Sequence, residues 1–174
     1  MKMLVICGSP RKNSYTRVLT EISFEHAKSK NYDVTYLDLG KVKIEKFRGL
    51  EEKYDKMTED IVKLVESSDI FIIGSPIYNG VFSSAIKNLF EFINYKALEG
   101  KIAGFIIMAG GTISYLQVQG QLQALMNYFR VISNPRSVFV SIDDFDENMN
   151  LKNKEVKGRI EKLVEETVGL KERH

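Results

Sequence analysis

Lys2-Met3-Leu4-Val5-Ile6-Cys7-Gly8-Ser9-Pro10-Arg11-Lys12-Asn13-Ser14-Tyr15-Thr16 is the stretch on which the reading of the fold turns. Met3 to Cys7 is a near-continuous apolar run, the pattern of a strand buried on both faces of a parallel sheet. Small, hydroxylated and basic residues follow, and a helix is predicted to begin near Tyr15. A loop that carries a strand end into a helix N-terminus is a pocket for an anion, a phosphate above all. The first backbone N–H groups of the helix lack internal partners, and the macrodipole adds roughly half a positive charge. Ser9, Asn13, Ser14 and Thr16 contribute side-chain donors, and Arg11 a permanent charge with two-pronged geometry. A plainer reading stands beside this one: Asn13 or Ser14 caps the helix, next to a surface arginine.

Outward from this loop, strand and helix alternate. Strands are predicted at Met3–Cys7, Asp33–Leu37, Ile70–Gly74, Ile102–Met108 and Ser137–Val140. Helices are predicted near Tyr15–Lys28, Tyr54–Ser67, Ser83–Tyr95 and Ser114–Phe129. A last one spans Lys154–Val168, with Val156, Ile160, Leu163, Val164 and Thr167 on one face. Repeated β-α order implies an α/β fold: a mostly parallel sheet, helices on both faces, right-handed crossovers. Gly40–Glu52 is charged and poorly periodic, a long surface connection that could shape a subunit contact or a substrate mouth.

The chain has 174 residues, the size of a single domain over 1–174, with 44% hydrophobic and 28% charged residues. Its formal net charge is only +2 and the basic residues are dispersed. That argues against a nucleic-acid partner, which calls for concentrated positive charge. The lone cysteine, Cys7, builds no disulfide framework or cysteine-ligated metal cluster and is read as a small core residue. No signal peptide is expected ahead of the first strand, and the apolar runs are too short to span a bilayer. A cytoplasmic protein without a membrane association is expected.

Two further loops follow strands in the same manner, and ligands of open parallel sheets bind outside the carboxyl ends of the strands. Gly74-Ser75-Pro76-Ile77-Tyr78-Asn79-Gly80-Val81-Phe82-Ser83 offers a rigid proline, an aromatic ring, an amide and a glycine. A flat heterocycle suits that set, with an aromatic wall and amide groups for its polar edge. Alternatively, Pro76 and Gly80 only shape a turn while Tyr78 packs on the surface. Ala109-Gly110-Gly111-Thr112 brings backbone N–H groups close to a ligand, or is a flexible turn. Neither G-x-x-x-x-G-K-[ST] nor G-x-G-x-x-G is present, so a triphosphatase or a Rossmann dinucleotide site has no support. The two histidines, His26 in the first helix and His174 at the last position, suit neither a metal site nor general-base work. The acidic run Asp143, Asp144, Asp146, Glu147 lacks EF-hand spacing and is read as a solvated loop. Chemistry without protein acids, bases or metals is usually borrowed from a cofactor.

Taken together, Gly8-Ser9-Pro10-Arg11-Lys12-Asn13-Ser14-Tyr15-Thr16 with Leu19 resembles the phosphate loop of the NAD(P)H-dependent FMN reductases. Pro76-Ile77-Tyr78-Asn79-Gly80, followed by Ala85-Ile86-Lys87-Asn88 and Phe90, is similar to that family's second signature. The Gly110-Gly111 loop and the helix bearing Gln117, Gln119, Gln121 and Gln123 lie where a third is expected. Within the family the likeness is to the bacterial azobenzene and quinone reductases. The resemblance implies a flavodoxin-like three-layer sandwich with a five-stranded parallel sheet of order 2-1-3-4-5. It also implies a noncovalently bound FMN, reduced by NADPH or NADH. Hydride would pass through the FMN to a small acceptor such as a quinone, an azo compound, free flavin or a metal ion. By the same resemblance Ser9, Arg11, Ser14 and Thr16 hold the phosphate, with Asn13 and Tyr15 lining the loop. Pro76, Ile77, Tyr78 and Asn79 border the isoalloxazine, and Gly110, Gly111 and Thr112 approach its other side. No catalytic side chain and no metal ligand is implied, and a homodimer or homotetramer is usual. The chain departs from many relatives in two places, Ile77 for an acidic residue and Ser83-Ser84 for Pro-Gly. The first removes a charge beside the flavin, which bears on substrate preference or redox poise. Alternatives are a flavodoxin-type electron carrier without nicotinamide-dependent turnover, against which the slight basicity and Arg11 speak, and a protein that kept the fold without the cofactor.

Overall fold

A computed structural model describes residues 1–111 and 114–174. The elements run β1 (Lys2–Cys7), α1 (Tyr15–Ser29), β2 (Asp33–Asp38), α2 (Lys56–Ser67), β3 (Ile70–Tyr78) and β4 (Val81–Phe82). They continue as α3 (Ser84–Glu91), β5 (Ile102–Ala109), α4 (Tyr115–Tyr128), β6 (Ile132–Ser133), β7 (Val138–Ser141) and α5 (Lys154–Glu172). A 3-10 turn, Ile142–Asp144, follows β7.

The sheet order is β2-β1-β3-β5, with β6 and β7 both along the outer edge of β5, and every one of these pairings is parallel. This is the flavodoxin-like order 2-1-3-4-5 with its fifth strand cut in two. The cut falls at Asn134-Pro135-Arg136. Asn134 still donates its N–H to Ala103 O at 2.7 Å, but Pro135 has no N–H to continue the ladder. The Asn134 side chain accepts the N–H of Arg136 at 2.9 Å, so the chain bulges out and rejoins β5 at Val138. Counting β4, which pairs antiparallel with the end of β3, the sheet has seven strands.

Alternation along β1 sends side chains to two cores. Leu4 and Ile6 pack with Ile61, Val65, Ile86, Leu89, Val118 and Leu122, the buried faces of α2, α3 and α4. Met3 and Val5 pack with Leu19, Ile160, Leu163 and Val164 from α1 and α5. Helices thus cover both faces of the sheet, and the fully buried Phe71 and Phe105 sit in adjacent central strands. Each side chain of that kind stabilises the fold by about 1.5–3 kcal/mol.

Several boundaries differ from the predicted ones for identifiable reasons. α2 begins two residues after Tyr54 because Asp55 caps it, accepting the Thr58 N–H at 2.8 Å. The Tyr54 hydroxyl instead ties down the preceding loop, accepting from Arg48 N and donating to Gly49 O. α3 ends at Glu91 rather than Tyr95, since Phe92 and Ile93 close it with tighter bonds to Leu89 O and Phe90 O. The Gly40–Glu52 connection is well anchored: Asn88 accepts from Phe47 N and donates to Glu45 O, and Phe47 meets the edge of the Phe92 ring. It forms a cover over α2 and α3.

Candidate active site

The carboxyl ends of β1, β3 and β5 meet at one edge of the sheet, and the loops leaving them enclose a cleft. The approach of β1 to β3 is close: Gly8 donates to Gly74 O at 2.8 Å. A Cβ on Gly8 would lie 2.3 Å from Ile86 Cδ1 and 2.7 Å from Gly74 O, so only glycine passes here. Ser9 then turns inward, 1% exposed, accepting the Arg11 N–H at 3.4 Å and lying 3.5 Å from the Tyr78 hydroxyl. Ser14 caps α1 by accepting the Arg17 N–H at 3.3 Å. The cap leaves room for an anion at this loop, because a capping hydroxyl keeps its own O–H donor. Among the described residues, the backbone N–H groups of Lys12, Asn13, Ser14, Tyr15 and Thr16 have no hydrogen-bond acceptor.

The wall opposite comes from β3, which does not end at Gly74 but runs through Pro76 to Tyr78. Pro76 pairs in register with Met108 of β5. The chain then reverses in a two-residue hairpin, Tyr78 facing Val81, with Asn79 at φ 50 and Gly80 at φ 79. Positive φ at both positions is the I′ turn that an Asn-Gly pair favours. Gln121 of α4 clamps this hairpin, accepting from Phe82 N at 3.3 Å and donating to Gly80 O at 3.2 Å.

Ser9, Arg11, Asn13, Ser14, Tyr15, Thr16, Pro76, Ile77, Tyr78 and Gly110 all line this one cleft. Met108, Ala109 and Ile142 line it too, none of them singled out by the sequence. Asn79 is taken up in the hairpin turn and Gly111 lies beyond the lining, while Thr112 falls outside the described residues. The cleft is open to solvent and has a cavity volume of about 130 Å³. Tyr15 is steadied by Phe145, their ring centroids 4.6 Å apart.

Arg17 and Asp38 are the pair that sequence reading misses. Arg17 Nε donates to Asp38 Oδ2 at 2.5 Å and Nη2 to Oδ1 at 3.2 Å. Burial alone would push the Asp38 carboxyl up, but Arg17, the Gly40 N–H and Lys41 hold it below its ordinary value. The signal was a cation in the first turn of a helix with no acid beside it, a place where positive charge is disfavoured.

General acid–base chemistry has little to work with here. His26 bonds Glu165 between α1 and α5, away from the cleft lining. Burial pushes the Cys7 thiol up, which keeps it protonated and unreactive. The acidic run serves turns instead: Asp144 completes a capping box with Ser141, and Asp146 accepts the N–H groups of Asn148 and Asn150. No grouping of three potential metal ligands occurs among the described residues. A cleft with donor-rich backbone, hydroxyls, aromatic and aliphatic walls and one arginine binds and orients.

Known proteins agree with that chemistry. The chain matches the NADPH-dependent FMN reductase family over residues 1–145. It is 33% identical, over 97% of its length and 92% of the relative's, to an NAD(P)H-dependent FAD/FMN reductase of Geobacillus thermodenitrificans. It is 28% identical, over 85% of its length and 81% of the relative's, to an FMN-dependent NADPH-azoreductase of Staphylococcus aureus. In fold it is similar to a flavoenzyme NAD(P)H:acceptor oxidoreductase of Paracoccus denitrificans. The TM-score is 0.78 at 18% identity, covering 99% of this chain and 98% of that one. Fold, cleft and sequence converge: the chain belongs to the NADPH-dependent FMN reductase family.

Proposed function

We propose that the cleft is the FMN site of an NAD(P)H-dependent oxidoreductase that reduces a small-molecule acceptor. The observation that carries this reading is the run of backbone N–H groups from Lys12 to Thr16 without acceptors, beside the Ser9, Ser14 and Thr16 side chains. Donors left unpartnered at a helix N-terminus fit a phosphate dianion, and Arg11 at the rim adds a charge-assisted bond. Pro76, Ile77 and Tyr78 give a flat ring one wall, and Gly110 with Met108 and Ala109 gives it a second. When bound, FMN supplies the hydride-accepting and hydride-donating chemistry that the protein's own side chains lack. The residues bind and orient: the loop anchors one end, the walls fix the plane, and the clamped hairpin keeps Tyr78 over the cleft.

We infer one FMN-binding domain over 1–174, a homodimer or homotetramer and a cytoplasmic location; the dispersed charge fits the absence of a nucleic-acid partner. Among the described residues no helix is long and apolar enough to cross a membrane.

The test is spectroscopic. The purified protein is expected to carry or take up FMN, with flavin absorbance that bleaches on anaerobic addition of NADPH or NADH. A flavin that stays oxidised would mark an electron carrier, and a protein that cannot be loaded would sink the reading. Arg11→Ala is expected to weaken FMN binding by about 1.5 kcal/mol, the loss of one exposed charge-assisted bond. Unchanged affinity in a fluorescence titration would remove Arg11 from the phosphate site.

A further inference from the structure

Arg17 occupies the third position of α1, where the helix dipole is unfavourable to a cation, yet its side chain is only 10% exposed. The register of β2 on β1 sets Asp38 beside Cys7, and the Asp38 carboxylate takes the guanidinium in a two-pronged pair. The remaining donors go to the loop: Nη1 to Lys12 O at 2.7 Å and Nη2 to Arg11 O at 3.0 Å. Matched by Asp38 and turned onto carbonyls, this arginine is not itself an anion ligand. Its effect is on the peptide planes. In a trans peptide the C=O and the following N–H point in opposite directions, and the chain has no cis bonds. Anchoring the carbonyls of Arg11 and Lys12 on Arg17 therefore turns the N–H groups of Lys12 and Asn13 away from it. Those are the first two of the run without acceptors.

We propose that Arg17, held by Asp38, is a positioning residue that sets the Arg11–Asn13 peptide planes so that their N–H groups meet the FMN phosphate. The inference rests on the reading of the cleft as an FMN site. Only a planar fork serves, because it must span a carboxylate and two carbonyls at once; a lysine ammonium is a point charge on a flexible stem.

Riboflavin lacks only the phosphate of FMN, so the two flavins separate this role from general support of the fold. Arg17→Lys is expected to weaken FMN binding at least about tenfold and leave riboflavin within about twofold, both read by flavin fluorescence. Asp38→Asn keeps the shape of the pair, removes its charge and retains Arg17; it is expected to show the same selective loss, smaller in size. It also serves should Arg17→Lys fail to fold, which thermal unfolding will reveal. Equal loss of both flavins, or no loss of FMN, in the folded variants would overturn the proposal. A wild-type protein that binds FMN no more tightly than riboflavin would instead overturn the phosphate-site reading, and this inference with it.

Discussion

Asp38→Ala is expected to lower the stability of the protein by about 3 kcal/mol, because it leaves a buried guanidinium without its counter-ion. The side chains of Arg17 and Asp38 are 10% and 4% exposed, so water does little to replace the lost partner. Arg17 would keep Lys12 O and Arg11 O, but Nε would have no acceptor, and the Gly40 N–H would lose its bond of 2.9 Å to Asp38 Oδ1. Breaking one half of such a pair typically costs about 3–5 kcal/mol, and the two carbonyls place the expectation at the lower end. Urea unfolding would read it as a fall in midpoint at constant slope. A midpoint within error of wild type would show that the pair contributes nothing net. The same pair sets an acid limit. Asp38 is depressed below its ordinary 3.8 in the folded protein, so its contribution is complete above that value. It is lost as pH falls from there through the folded value, and Asp38→Asn should flatten that part of the stability curve.

How much of this is legible in the sequence depends on the range over which each feature is encoded. Met3–Cys7, Ile70–Ile73 and Ile102–Met108 read correctly because a strand covered on both faces must be apolar at every position. Ser9, Arg11, Asn13, Ser14, Tyr15 and Thr16 gather in one cleft because a single strand-loop-helix unit places them, with no help from distant pairing. The expected end of β3 at Gly74 falls short because proline ordinarily ends a ladder. Here Pro76 sits at the last position pairing with β5, where the lost N–H costs little. Asn79-Gly80 carries a hairpin signal, yet β4 is only two residues long and offers no periodicity to support it. Arg17 and Asp38 are 21 residues apart, and only the β1–β2 register brings them together. Ile142 reaches the cleft from the 3-10 turn after a strand that Pro135 has already displaced. Local chemistry is readable, and what depends on register is not.

That division suggests a strong test of how the sheet supports the Ser9–Thr16 loop. Gly74→Ala is expected to destabilise the protein by about 2 kcal/mol and to weaken FMN binding, although Gly74 does not itself line the cleft. A Cβ at Gly74 would stand 2.3 Å from Thr20 Cγ2 and 3.1 Å from Thr16 Cγ2. Thr20 cannot rotate aside. Its hydroxyl is within 3.0 Å of both Thr16 O and Arg17 O and 2.8 Å from the Tyr36 hydroxyl. The first turn of α1 must therefore lift from β3, carrying Ser14 and Thr16 with it. Thr20→Ser removes the obstructing methyl and keeps the hydroxyl, so the two changes should couple. Placed in the Thr20→Ser background, Gly74→Ala should cost at least about 1 kcal/mol less than it does alone, as expected for residues in contact. FMN affinity should recover in parallel. If Gly74→Ala is as damaging in the Thr20→Ser background as in the wild type, the clash with α1 is not what makes glycine necessary there, and the coupling between sheet and the Ser9–Thr16 loop fails with it.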